Sequence, residues 1–102
     1  MLENLFYHDM INALTQAKEE CGYNATRCMQ MLTRDGGVAT AKKLIGNDSS
    51  KLTDGFSKMW ANGKLDLTIE YLVLKPEYES LFTEEERQIC RDRLKSCGYR
   101  FQ

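Results

Sequence analysis

The chain is poor in the residues that punctuate or cross-link small folds. One proline and seven glycines in 102 residues argue against a many-turned β-sandwich. A net charge of −1 gives no overall pull toward nucleic acid or an anionic membrane. No stretch approaches the ~18 apolar residues that a membrane helix requires. There is no glycine-rich phosphate loop. The single histidine, His8, has no visible nucleophile or orienting carboxylate to make it a general base. The start, MLENLFYHDMINAL, lacks the basic n-region and apolar run of a signal peptide, so the expected location is cytoplasmic.

What is present is globular. Hydrophobic residues make up 42% and charged residues 28%, and the length suits one domain over residues 1–102. Charge is segregated along the chain. Residues 1–22 carry Glu3, Asp9, Glu19 and Glu20 against Lys18. Residues 23–64 hold seven cations against Asp35, Asp48 and Asp54, for a balance of +4. Residues 65–82 return to an acidic balance through Asp66, Glu70, Glu77 and Glu79 against Lys75.

Apolar spacing is helical almost throughout. Phe6, Met10, Ala13, Leu14, Ala17 and Cys21 form one stripe over residues 3–21, and Gly22 fits the left-handed position that ends such a helix. Asn24 is the expected cap of a second helix with Ala25, Cys28, Met29 and Leu32 on its apolar side. Gly36 and Gly37 break it, and Val38, Ala41, Leu44 and Ile45 form a third stripe. This pair has the outline of a helix-turn-helix. Thr53 can cap a fourth helix carrying Phe56, Met59 and Trp60 and ending near Asn62-Gly63. The run LDLTIEYLVL alternates as a strand would, yet it lacks a partner strand, and Thr68 can cap a short helix stopped before Pro76. Helix is therefore expected there. Thr83-Glu84-Glu85-Glu86 is a capping box opening the last helix, which Gly98 ends. The expected fold is all-α, a bundle of about five to six short helices.

Candidate chemistry is sparse. Cys21 and Cys28 are seven apart, as are Cys90 and Cys97, which suggests a four-thiolate metal site. Within one helix that spacing separates Cys90 from Cys97 by ~10 Å, so buried packing is the better reading and no metal or cofactor is expected. Glu84, Glu85 and Glu86 are explained by capping. Phe56 and Trp60, four apart in the basic region, are candidates for an interface anchor, with core packing the stronger expectation for so small a domain. Arg27, Arg34, Lys42, Lys43, Lys58 and Lys64 are the candidate nucleic-acid contacts. Thr40, Lys42 and Lys43 would form the exposed side of the third helix if it were a recognition helix, a thin row for reading bases.

Three blocks carry a resemblance: GYNATRCMQMLTRDGGVATAKKLI (22–45), DGFSKMWANGKLDLTIEYLVL (54–74) and YESLFTEEERQICRDRL (78–94). Together they resemble a family of small bacterial domains that occur alone or appended to restriction and other defence-type proteins. The resemblance implies an all-helical accessory module in a bacterium or phage, and transfers no catalytic residue to a position here. The expected function is a non-enzymatic module binding a protein partner in a nucleic-acid-processing or defence setting. The alternative is weak DNA or RNA binding through residues 23–64. Oligomeric state is left open by the sequence.

Overall fold

A computed structural model describes residues 2–46 and 54–99. Among these the elements are helical, and no strand occurs. Six α-helices run α1 (Leu2–Cys21), α2 (Thr26–Asp35), α3 (Gly37–Gly46), α4 (Asp54–Ala61), α5 (Ile69–Val73) and α6 (Glu84–Ser96). Two 3₁₀ segments, Leu65–Leu67 and Pro76–Leu81, flank α5. The all-α bundle expected from apolar spacing is the fold. The expected Thr53 cap lies outside the described residues.

Several ends follow local rules. Gly22 and Gly98 adopt φ of 69° and 85°, closing α1 and α6 as expected. Thr68 Oγ1 accepts the Tyr71 amide and caps α5, which settles the ambiguous run as helix. Thr83 and Glu86 form a reciprocal capping box at α6. Asn24 is a correction: it does not cap α2. Ala25 occupies that position without a side-chain acceptor, and Asn24 Oδ1 instead accepts from the Thr26 hydroxyl at 3.1 Å.

The core is built on α1, whose Phe6, Met10, Ala13 and Ala17 are buried. Phe6 meets the rings of Tyr78 and Phe82 edge-on, with centroids 5.0 and 5.2 Å away. The Tyr78 hydroxyl donates to Asp9 Oδ2 one turn along α1. Only Gly36 separates α2 from α3, and Gly37 is the first residue of α3 rather than part of the turn. A Cβ on Gly37 would lie 3.0 Å from the Tyr7 Cα, so this glycine sets how closely α3 crosses α1.

Burial corrects two further expectations. Thr40, assigned to the exposed side of α3, is fully buried together with Ala41 and Ile45. Trp60 is 49% exposed and therefore not a core residue, whereas Phe56 is buried.

Candidate interaction cleft

The cations come first, because their geometry limits what they can contact. Lys43 and Arg34 both pair with Asp35, at 2.8 and 3.0 Å. The hydrogen bonds from Arg34 and then Lys43 hold the Asp35 carboxyl well below its usual range. Lys42 pairs with Glu86 at 2.8 Å and lies over the Phe82 ring. Burial works to raise the Glu86 carboxyl, but the Lys42 ammonium and the Thr83 amide outweigh it and hold the group low. Lys64 pairs with Glu20 at 3.1 Å, which pushes its ammonium up. Arg27 and Lys58 are exposed and have no ion-pair partner among the described residues. The six candidate cations of residues 27–64 are thus split. Four are tied to acids, and two have no acidic partner among the described residues.

Arg27 lines a cleft of about 490 Å³, and Lys58 is an exposed residue of α4, the helix that forms one of its walls. Its floor is Leu14 and Ala17 of α1. One wall is the Arg27, Cys28 and Met31 stripe of α2, and the other is the Gly55, Phe56 and Met59 stripe of α4. Each wall follows the i, i+1, i+4 spacing that lines residues along one helical face. Leu67 to Glu70 line the cleft at the start of α5. At ~100° per residue, Lys58 and Trp60 fall on opposite flanks of the α4 stripe. Gly55 lets the Tyr23 ring lie close against α4: a Cβ would meet that ring at 3.2–3.3 Å and displace it by a few tenths of an ångström.

The acid in this lining is already neutralised. Glu70 Oε2 accepts from Arg93 Nη1 at 2.9 Å, with both side chains only 4% exposed. Burial pushes the Glu70 carboxyl up, and the Arg93 bond and charge oppose it. The same guanidinium donates to the Leu44 and Ile45 carbonyls at 3.3 and 3.1 Å, satisfying the C-terminal end of α3. One arginine therefore joins α3, α5 and α6. Sequence reasoning missed it, although its signal was available. Arg93 lies three residues after Cys90 and one before Leu94, inside the apolar stripe of α6.

All four cysteines are free thiols. Cys21 and Cys90 are buried, while Cys28 and Cys97 are half-buried. Burial pushes the Cys90 thiol up to about 12 and also raises Cys28, so both are protonated at neutral pH. Among the described residues no three metal-binding side chains converge. His8 is exposed, with its ring edge-on to Tyr7 at 5.8 Å. No helix among the described residues is long and apolar enough to cross a membrane. Comparison with protein families, curated proteins and solved structures finds no match for this chain.

Proposed function

We propose that the chain is a non-enzymatic interaction module that binds a protein partner through the cleft between α2 and α4. The observation that carries this reading is the cleft between α2 and α4 together with Trp60, a large aromatic of α4 left half in solvent. Binding energy concentrates where such an anchor adjoins a pocket that a partner can desolvate. The resemblance to bacterial defence-associated domains supplies the setting, a cytoplasmic assembly that handles nucleic acid. Trp60→Ala should weaken capture of the partner by at least about tenfold, the scale of an aromatic hot spot, while leaving the melting temperature unchanged. Cys28→Trp should block the cleft directly. Chemical cross-linking in cells that encode the chain measures both, and undiminished capture by both variants would refute the reading.

The open Arg27 and Lys58 favour a second reading, direct binding of DNA or RNA. Each phosphate contact contributes about −0.9 to the slope of log K against log salt. Two contacts would weaken binding about tenfold between ~50 and ~200 mM salt, and six about a thousandfold. The expected result in fluorescence anisotropy, if nucleic acid binds at all, is the tenfold change. A thousandfold change would require Arg34, Lys42, Lys43 and Lys64 to abandon their acidic partners.

A further inference from the structure

Resting on the second reading above, direct nucleic-acid binding, we propose that α2 rather than α3 enters the major groove of duplex DNA, with Arg27, Gln30 and Arg34 reading three successive base pairs. α2 is the bare helix of the pair. Of its ten residues only Leu32 is buried, whereas α3 buries Gly37, Thr40, Ala41 and Ile45. Leu32 therefore marks the side of α2 that faces the protein. At ~100° per residue, Gln30, Arg34 and Arg27 fall within a ~60° arc centred almost opposite Leu32. All three are exposed. They span ~10 Å along the helix, the rise of three base pairs at ~3.4 Å each.

Residue type and charge select the occupant. Arginine aims two donors at guanine O6 and N7, and glutamine pairs an acceptor and a donor with adenine N6 and N7. The row thus matches G-A-G on one strand, and the match is the same whichever way the helix runs. The one acid of α2, Asp35, lies ~100° round from the row and is half-buried. It holds Arg34 at 3.0 Å in an exposed pair between sequence neighbours. A base can replace that pair at little cost, because Lys43 stays on Asp35 at 2.8 Å. A protein partner would find no apolar side chain at the centre of this row to bury. A-form RNA closes its major groove to a helix. An arginine seated in the groove still displaces counterions, so the salt dependence given above holds.

The test uses the full chain and duplexes of about fifteen base pairs that differ only in a central triplet, with fluorescence anisotropy at ~50 mM salt. Duplexes carrying GAG should bind at least about fivefold more tightly than those with any one of the three bases changed. Gln30→Arg should move the preference to GGG, and Arg34→Ala should erase it at one flanking base only. Both side chains are exposed, so thermal melting of the variants should match that of wild type. Equal binding to all triplets, or a preference that Gln30→Arg does not move, would overturn the assignment of α2 and leave nonspecific nucleic-acid binding standing. Tighter binding to single-stranded RNA of the same sequence would also overturn it. Failure to bind any duplex or RNA removes the second reading as well.

Discussion

Replacing Arg93 by methionine should lower the unfolding free energy by about 3–5 kcal/mol, the usual cost of stripping one partner from a buried ion pair. The substitution leaves the Glu70 carboxylate in a dry site and orphans two carbonyls at the end of α3. Replacing both partners, as Arg93→Met with Glu70→Leu, should recover much of the loss, because no charge then remains buried. The pH dependence separates this cause from lost packing. Without Arg93, burial is opposed only by the backbone hydrogen bond to Glu70, so the pKa in the folded state rises further above the ordinary value of 4.5. The unfolded chain then releases the proton first, so stability falls as pH rises through 4.5 toward the folded pKa. The deficit of Arg93→Met against wild type should therefore be larger at neutral pH than near pH 4. Urea unfolding at the two pH values measures it. A deficit that is the same at both would remove the ion pair as its cause.

Phe6→Ala should cost a similar amount, about 3–5 kcal/mol, through lost burial and the cavity left behind. Phe6 is fully buried and its ring is the common neighbour of Tyr78 and Phe82. For a domain of this size the expected fall in Tm exceeds about 12 °C. Its coupling to Gly37 is specific. A Cβ on Gly37 would press on the Phe6 ring at 3.3 Å and on the Tyr7 Cα at 3.0 Å. Gly37→Ala alone should cost about 1–3 kcal/mol by overpacking. Phe6→Ala relieves the first contact but not the backbone one. The double variant should be destabilised by less than the sum of the singles, yet remain worse than Phe6→Ala. Strict additivity in thermal melts would show that the α1–α3 approach is not set by Gly37.

How much of this was legible in the sequence depends on the reach of each signal. Caps and stops act over three or four residues, so the Thr83–Glu86 box, the Thr68 cap and the glycine ends of α1 and α6 could be read directly. The α1 stripe of Phe6, Met10, Ala13, Ala17 and Cys21 was equally plain, because one face of a long helix repeats its own evidence. Asn24 misled: a capping residue one position early is indistinguishable from a cap until the helix start is known.

The candidate site divides differently. Phe56, Trp60, Arg27 and Lys58 were singled out by residue type, but sequence placed them beside four cations that prove to be tied to acids. Lys42 finds Glu86 44 residues away, and Arg93 reaches Glu70, Leu44 and Ile45 across 23 to 49 residues. Such partners are chosen by how α3, α5 and α6 pack, and no local pattern encodes them. Helix content, the caps and stops of α1, α5 and α6 and the apolar face of α1 were thus determined by sequence alone, since each rests on spacing within one element; the start of α2 and the buried side of α3 were not. Which cations stay open, which tryptophan face meets water and where α2 and α4 leave a cleft were decided by tertiary packing, since each depends on distances between elements.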